Sequence, residues 1–263
     1  MIAYFGLKRM PFEKDIKPEQ MCETYDTKEA LSRLSYIRQY RGIMLLSGEP
    51  GAGKTAVLRK FTASLNPQNY VHHYTPHATV SRTELYRQLN HMLNLQNRIF
   101  KSSLFQQIQS AIMDIYEHQG KTPCIILDEV HLMDNPTLQE LILLTNFQMD
   151  SKNPFILILA GQPDIKERLK RRIHEPLNQR IVLRYHMVGL NIEETRLFVL
   201  NHLKVAGRSD PLFEENAFEV IHQLSMGLPR KIENLCKASM TVCMLKKALS
   251  IDADMVLKAA SGI

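Results

Sequence analysis

The sequence predicts an α/β fold, with a five-stranded parallel sheet covered by helices on both faces and followed by a small helical lid. Short apolar runs alternate with amphipathic helical segments in the first part of the chain, as expected for a parallel sheet. After residue 189 the strand-like runs stop and only helical periodicity remains. We therefore predict an α/β domain over residues 1–188 and a helical lid domain over residues 189–263.

The elements follow from this periodicity and from helix-capping residues. The predicted strands cover residues 43–47, 70–75, 123–127, 155–160 and 181–187. The predicted helices cover residues 26–40, 53–65, 81–95, 103–118, 135–149 and 164–172, and, in the lid, 192–206, 214–226, 229–247 and a short segment from Asp252. Asp26, Ser81 and Asn191 each precede a glutamate by three residues, which is typical of a capping box. Asn135, followed by proline, has the chemistry of an N-cap.

Composition excludes several classes of protein. The chain has 263 residues, four cysteines without a CxxC pair and a formal net charge of +6. The cysteines predict reduced thiols, with neither a zinc site nor a disulfide framework. The start of the chain lacks signal-peptide character, and the apolar runs fall short of the roughly 20 residues needed to cross a bilayer. We expect a cytoplasmic protein without a membrane partner, and the basic excess permits nucleic-acid binding without establishing it.

A glycine-rich motif between the first predicted strand and the next helix matches the P-loop pattern G-x-x-x-x-G-K-[ST]. Its glycines let backbone N–H groups turn toward phosphate oxygens at a helix N-terminus. Because a strand precedes the motif and a helix follows it, a chance glycine turn is the weaker alternative. We expect Lys54 to contact the β- and γ-phosphates of ATP and the Thr55 hydroxyl to ligate Mg²⁺. The predicted nucleotide-binding residues are Gly48, Glu49, Pro50, Gly51, Ala52, Gly53, Lys54, Thr55 and Ala56.

A second motif is the apolar strand that ends in Asp128 and Glu129. Such an ending is common by itself, but after a P-loop it predicts a Walker B segment. Asp128 is then expected to hold Mg²⁺ and its water shell. Glu129 is expected to polarise the water that attacks the γ-phosphate.

The two carboxylates, the helical lid and the arginines narrow the class to AAA+ ATPases, and the chain resembles the ExeA-like AAA ATPases in particular. The motifs that carry the resemblance span about residues 4–235. They are Tyr-Phe-Gly-Leu at 4–7, Pro-Phe at 11–12, Gly-Glu at 48–49, Ala-Gly-Gln-Pro at 160–163, Leu-Asn-Gln-Arg-Ile at 177–181 and Gly-Leu-Pro-Arg at 227–230.

The resemblance implies roles for residues outside the two motifs. Gln162 lies at the sensor-1 position, near the γ-phosphate and the attacking water. Arg230 lies at sensor 2, and Arg180 is the arginine finger offered to a neighbouring subunit. Tyr25 and Leu31 are expected near the adenine.

Each of these roles has an alternative. Arg230 is also suited to capping lid helices, and Gln162 to a hydrogen bond at a strand end. Arg180 has the alternative of pairing with a carboxylate of its own subunit. In that case the rivals for the finger are Arg171, Arg172 and Arg184.

The resemblance also implies partners. ExeA itself continues into a membrane segment and a peptidoglycan-binding domain, whereas this sequence ends at Ile263. It is therefore expected to be similar to the stand-alone ATPases encoded beside transposases, relatives in role of MuB, TnsC and IstB. These proteins bind duplex DNA without strong sequence preference and activate a DDE transposase. An arginine finger supplied in trans implies a head-to-tail homo-oligomer, either a ring or a helical filament.

Two cationic segments suit phosphate contacts, which give affinity without sequence specificity. The first holds Lys166, Arg168, Lys170, Arg171, Arg172, Arg180 and Arg184, and the second holds residues 77–82 with Arg87 and Lys101. A solvated helix face or a subunit interface explains the first segment equally well. The alternative functions are an ATPase of a secretion or pilus-assembly system and a nucleotide-dependent switch or scaffold with little hydrolysis.

Overall fold

The computed structural model describes residues 1–76 and 81–262. By contacts between Cα atoms the chain forms two compact units. Unit 1 comprises Met1–Lys28, Glu49–Ala56 and the chain from Val188 onward. Unit 2 comprises Glu29–Gly48 and Val57–Met187. Unit 1 therefore includes two segments, 1–28 and 49–56, that the sequence-based division assigns to the α/β domain.

Unit 2 is built on a five-stranded sheet, as predicted. The strands are β1 (Gly42–Gly48), β2 (Tyr70–Thr75), β3 (Thr122–Leu127), β4 (Ile156–Gly161) and β5 (Ile181–Met187). All pairings are parallel and the spatial order is β2-β3-β4-β1-β5. Because the chain moves across the sheet in both directions, right-handed crossovers place helices on both faces.

The α-helices described in the first 187 residues are five longer ones and two short ones. They are α1 (Tyr25–Tyr40), α2 (Lys54–Ala63), α3 (Arg82–Met92), α4 (Lys101–Glu117), α5 (Asn135–Leu144), α6 (Asp164–Leu169) and α7 (Glu175–Arg180). The core of unit 2 joins β3 and β4 to the apolar faces of α3, α4 and α5. Strand β4 is buried along its whole length, and β3 is buried and apolar after Thr122, because helices cover both of their faces.

Unit 1 carries the lid helices α8 (Ile192–Val205), α9 (Glu215–Ser225), α10 (Pro229–Leu245) and α11 (Ala253–Ala260). Their apolar faces form one core, which Phe5, Leu7 and Phe12 of the N-terminal segment complete. The predicted capping box at the start of α8 is confirmed, since Asn191 accepts the backbone N–H of Glu194 and Glu194 accepts that of Asn191.

Two predicted N-caps are wrong. Thr24, not Asp26, accepts the backbone N–H of Thr27 at the start of α1. Asp134, not Asn135, caps α5, because its carboxylate accepts the N–H of Thr137. The capping residue of α1 lies two positions before the one that the spacing to a glutamate indicates. That of α5 lies one position before the one that the following proline indicates.

Two predicted helices are too long. Helix α5 ends at Leu144 rather than near residue 149, because Gln148, Met149 and Asp150 all have left-handed backbone conformations. The basic helix predicted over 164–172 ends at Leu169, and the separate helix α7 follows before β5. Within the described ranges, no helix is long and apolar enough to cross a membrane.

Candidate nucleotide-binding site

The P-loop of unit 1 has the backbone conformation that its glycines permit. Gly51 and Gly53 have φ angles of +84° and +98°, which residues other than glycine rarely adopt. The N–H of Ala52 donates to the carbonyl of Glu49, 3.0 Å away, and closes the turn. Helix α2 then begins at Lys54, so its first backbone N–H groups follow the loop directly. Left-handed glycines before a helix N-terminus fit the phosphate groups of a nucleotide.

Lys54 is the basic residue of the P-loop motif. It is only 7% exposed, and its Nζ donates to the carbonyl oxygen of Glu49 at 3.1 Å. A buried ammonium needs anionic or polar partners. The Lys54 side chain therefore lies along the loop, where a phosphate would supply the negative charge.

The lid contacts the same loop within unit 1. Arg230, in the first turn of α10, donates its backbone N–H to the carbonyl of Gly51 at 3.2 Å. A Cβ atom added to Gly51 would lie 2.7 Å from the Cβ of Arg230. Glycine is thus required at position 51 for its backbone conformation and for this close approach. The structure places Arg230 against the P-loop, and its role toward the nucleotide stays a prediction.

The first turn of α1 is held to the start of the lid segment. The carboxylate of Asp26 accepts the N–H groups of Val188 and Gly189, each at 2.9 Å. The N–H of Tyr25 donates to the carboxylate of Glu194. Since the backbone of Tyr25 is fixed while its side chain is 66% exposed, the ring is available to a ligand. Its predicted place beside the adenine stays a prediction.

In unit 2, three predicted site residues lie at one edge of the sheet. Gly48 ends β1, Asp128 follows β3, and Gln162 follows β4. Parallel strands end at a common edge, and the register pairs Ser47 with Gly161. In open α/β sheets, ligands bind at this carboxyl edge.

Asp128 is held by donors on both oxygens. Asp128 is buried, with 3% of its surface exposed. Its Oδ1 accepts the backbone N–H of Glu129 at 2.8 Å. Its Oδ2 accepts the hydroxyl of Tyr74, at the end of β2, at 2.9 Å. Burial, and then the Asp128 charge, raise the pKa of the Tyr74 hydroxyl, which therefore remains a donor. A carboxylate and a hydroxyl such as that of Thr55 are oxygen ligands of the kind Mg²⁺ prefers, usually together with water and phosphate oxygens.

Glu129 begins a 3₁₀ turn, Val130–Leu132, with a left-handed backbone at φ +55°. Its Oε2 is buried, lacks a hydrogen bond and lies 3.4 Å from Nδ1 of His131. That nitrogen accepts the backbone N–H of Gln162 at 3.4 Å, so the proton of a neutral His131 ring belongs on Nε2. Gly161 permits this packing, because an added Cβ would lie 3.3 Å from the backbone nitrogen of His131. His131 therefore packs against the end of β4, and its unprotonated Nδ1 does not donate to the carboxylate of Glu129.

The first cationic segment divides into bound and exposed arginines. The guanidinium of Arg168 donates to the carbonyls of His131 and Met133, at 2.7 and 2.6 Å, and to Asn135. Arg184 donates to the backbone of Ile181 and Asn178. Both side chains therefore brace the fold, contrary to their expected availability for phosphate contacts.

Arg180, at the end of α7, pairs with Asp150 of its own chain, which is the alternative left open by the sequence. Arg171 and Arg172 are exposed, and within the described chain their side chains make no hydrogen bond or ion pair. In the second cationic segment, residues 77–80 lie outside the described residues. Arg87 pairs there with Glu84, and Lys101 with Glu140.

Of two neighbours of the Walker B carboxylates, Tyr74 is not predicted from the sequence, and His131 is interpreted there only as a structural residue or a polar neighbour of the site, not as a metal ligand. Tyr74 precedes the last residue of the strand beside β3, and His131 follows Glu129 by two positions. The parallel order of β2 and β3 is the signal that points to Tyr74. No sequence pattern indicates the contact of His131 with Gln162. Among the residues that the structure describes, no group of three or more His, Cys, Asp or Glu side chains is arranged to hold a metal ion.

The P-loop, the Walker B segment and the parallel sheet together define an ATPase fold of the P-loop class. A family model described as an AAA domain matches residues 37–169, and the chain belongs to this family. The predicted AAA membership is thereby confirmed.

Among curated proteins, the chain is 28% identical over 266 residues to General secretion pathway protein A of Aeromonas hydrophila. The match covers 99% of this chain and 48% of the relative, so the chain spans about half the relative's length. This likeness supports the predicted relationship to the ExeA-like ATPases.

Solved structures confirm the fold. Cdc6p from Pyrobaculum aerophilum superimposes with a TM-score of 0.73 at 14% identity, covering 96% of this chain and 70% of that chain. The Thermotoga maritima RuvB Holliday junction branch migration motor superimposes with a TM-score of 0.61 at 20% identity, and the match covers 92% of this chain and 72% of that chain. The Aeropyrum pernix ORC1 protein in complex with DNA superimposes with a TM-score of 0.64 at 13% identity, and the match covers 92% of this chain and 66% of that chain.

Proposed function

We propose that this protein is a Mg-ATP-dependent ATPase whose nucleotide cycle drives a larger assembly. The P-loop geometry of Gly51, Gly53 and Lys54 is the observation that supports nucleotide binding. The P-loop N–H groups and Lys54 hold the phosphates, while Thr55 and Asp128 hold Mg²⁺. The metal, when bound, neutralises phosphate charge and thereby favours displacement at the γ-phosphate.

Glu129 accepts a proton from the attacking water, because Oε2 of its carboxylate, which follows β3, makes no hydrogen bond within the described chain. Gln162 orients that water or the γ-phosphate, and Arg230 contacts the phosphates from the lid. Tyr25 stacks on the adenine. These roles follow the residue types and the positions that each unit gives them.

Arg180 completes the site of a neighbouring copy. For this role its guanidinium must leave Asp150, so head-to-tail assembly exchanges an ion pair within the chain for a contact with phosphate. The Arg180 side chain is 24% exposed, and its pair with Asp150 is of the surface type, which contributes about 1 kcal/mol or less. Such a pair is weak enough to exchange.

For the biological role, we place a secretion or pilus-assembly system first. The likeness to General secretion pathway protein A, over 99% of this chain, supports this role. The partner would then be a protein of that system, and the ATPase would act on it through ATP-dependent assembly. The localisation we propose is the cytoplasmic face of such a system, where ATP is available.

A second candidate is a DNA-binding accessory of transposition, working with a transposase. The net charge of +6 and the unpaired, exposed Arg171 and Arg172 favour it. Such contacts would bind duplex DNA through phosphates, without strong sequence preference. A third possibility, a switch with little hydrolysis, uses the same nucleotide site and differs in turnover.

One experiment separates these functions. Sedimentation of the chain with ATP, ADP or no nucleotide should show a larger species with ATP. Anisotropy with a random duplex, at low and moderate salt in each nucleotide state, then tests the DNA role. The secretion role predicts no binding in any state.

The transposition role predicts binding that weakens with salt, by a log–log slope of roughly −0.9 for each phosphate contact. Replacing Arg171 and Arg172 with alanine should then reduce the log–log slope by the amount that roughly two phosphate contacts contribute. Lys258→Ala in α11 should leave the slope unchanged. A wild-type chain with the same sedimentation in all nucleotide states would refute ATP-dependent assembly.

A further inference from the structure

Tyr74 makes the most informative contact outside the predicted site residues. It lies near the carboxyl end of β2, paired in register with Ile126 of β3. Its hydroxyl donates to Oδ2 of Asp128 at 2.9 Å. The Tyr74 residue is 42% exposed, so a large part of its ring is in contact with solvent, and only its hydroxyl is drawn to the buried carboxylate.

The carboxylate of Asp128 is thereby fixed at several points. Its Oδ1 accepts the N–H of Glu129 at 2.8 Å, and its own N–H donates to the carbonyl of Thr75 at 3.0 Å. The bond to Oδ1 restrains rotation of the carboxylate from one side, and a donor to Oδ2 restrains it further at the second oxygen. Tyr74 supplies that contact from a different strand.

We propose that Tyr74 is a positioning residue that orients the Asp128 carboxylate toward Mg²⁺. This inference rests on the proposed role of Asp128 in the ATPase site. A carboxylate that is already oriented loses less conformational freedom when it binds the ion or the ion's water shell. Hydrogen-bond partners of metal-binding carboxylates typically change metal affinity by 10–100-fold when they are removed.

A merely structural role predicts something different. If Tyr74 only ties β2 to β3, its loss weakens the protein without changing how much Mg²⁺ the nucleotide complex requires. The sheet already joins these strands by backbone hydrogen bonds along six residue pairs, so the Tyr74 hydroxyl is not needed for their pairing. The dependence on Mg²⁺ therefore separates the two roles.

The test is Tyr74→Phe, which removes only the hydroxyl. Binding of a fluorescent ATP analogue is titrated against Mg²⁺ and is also measured in excess EDTA. We expect the Mg²⁺ concentration for half-maximal tight binding to rise about ten-fold or more. Binding in EDTA should be unchanged, because the P-loop itself is intact.

Tyr70→Phe is the matched control, since Tyr70 begins the same strand and makes no side-chain hydrogen bond among the described residues. It should leave the Mg²⁺ requirement at the wild-type value. The thermal shift caused by ATP, with and without Mg²⁺, gives a second readout within each variant and remains valid if Tyr74→Phe is less stable.

An unchanged Mg²⁺ requirement in Tyr74→Phe, or equal weakening with and without Mg²⁺, would overturn the proposal. A wild-type chain that fails to bind the analogue in either condition would instead refute the proposed ATPase function. The two failures are therefore distinguishable.

Discussion

Units 1 and 2 hold their candidate functional groups by different means. In unit 1 the groups that we propose for phosphate binding are backbone N–H groups, set by left-handed glycines and by the lid contact between Arg230 and Gly51. In unit 2 the proposed functional groups are the side chains of Asp128 and Glu129. The hydroxyl of Tyr74 holds Asp128, and Glu129 lies beside the ring of His131.

This difference predicts how each part responds to substitution. A change at the loop glycines of unit 1 acts through the conformation that the backbone can adopt, so even a methyl group is disruptive. A change in unit 2 acts through a proton or a hydrogen bond, so a substitution that preserves shape still has an effect. The predictions below test that distinction, beginning with the largest expected effect.

Glu129→Gln should leave ATP binding intact and lower the turnover rate by about 10²–10⁴-fold, the usual contribution of a general base. The amide keeps the shape of the side chain but cannot accept the proton of the attacking water. Nucleotide binding and phosphate release are measured on the same preparation, with Glu84→Gln, at a half-buried carboxylate of α3 that pairs with Arg87, as control. Wild-type turnover in Glu129→Gln would remove Glu129 from this role.

Gly51→Ala should lower ATP affinity about ten-fold or more. The left-handed conformation costs a residue with a Cβ about 1–2 kcal/mol, and the new methyl would also lie 2.7 Å from the Cβ of Arg230. Gly120→Ala is the control for a left-handed glycine outside the loop, because Gly120 has φ +65° and open space around it, and it should leave ATP affinity unchanged. Affinity is measured by fluorescence titration. Wild-type ATP affinity in Gly51→Ala would show that neither the left-handed conformation nor the approach of Arg230 shapes the loop.

Glu233→Gln should change stability and leave nucleotide binding unaltered. Burial raises the pKa of Glu233, in α10, from 4.5 to about 7, despite nearby Lys237 and Arg230. Its neighbour His202, 4.0 Å away, stays uncharged because burial lowers the pKa of the imidazole to about 4. Because the pKa of Glu233 is raised in the folded state, its contribution to the free energy of unfolding is fully present below pH 4.5. That contribution is lost as the pH rises through 7.

The neutral glutamine should therefore stabilise the lid at pH 8, by up to about 3 kcal/mol, and the gain should fall below about 1 kcal/mol at pH 5. Denaturant unfolding at both pH values measures it, with the exposed Glu219→Gln as control. A gain in stability that is equal at pH 5 and pH 8 would show that Glu233 is not a buried carboxyl group with a raised pKa.

The same distinction explains what could be predicted from the sequence. The P-loop, the strand that ends at Asp128 and the parallel sheet are set by local residue types, so glycine spacing and apolar runs indicate them. The contacts of Tyr74 with Asp128 and of His131 with Gln162 join residues from different strands, and their side-chain geometry has no local pattern. Likewise, Arg168 carries the same charge as Arg171, and only the tertiary structure shows that Arg168 binds backbone carbonyls.

The most direct test of the central claim, that the P-loop binds ATP for hydrolysis, is equilibrium binding of Mg-ATP to the wild-type chain and to Lys54→Ala. Lys258→Ala, which removes a lysine from α11 of the same unit, is the control. We expect saturable binding by the wild-type and control proteins, and loss of binding and of phosphate release in Lys54→Ala, because its ammonium charge is removed from the phosphate site. Wild-type affinity for ATP in Lys54→Ala would contradict the account.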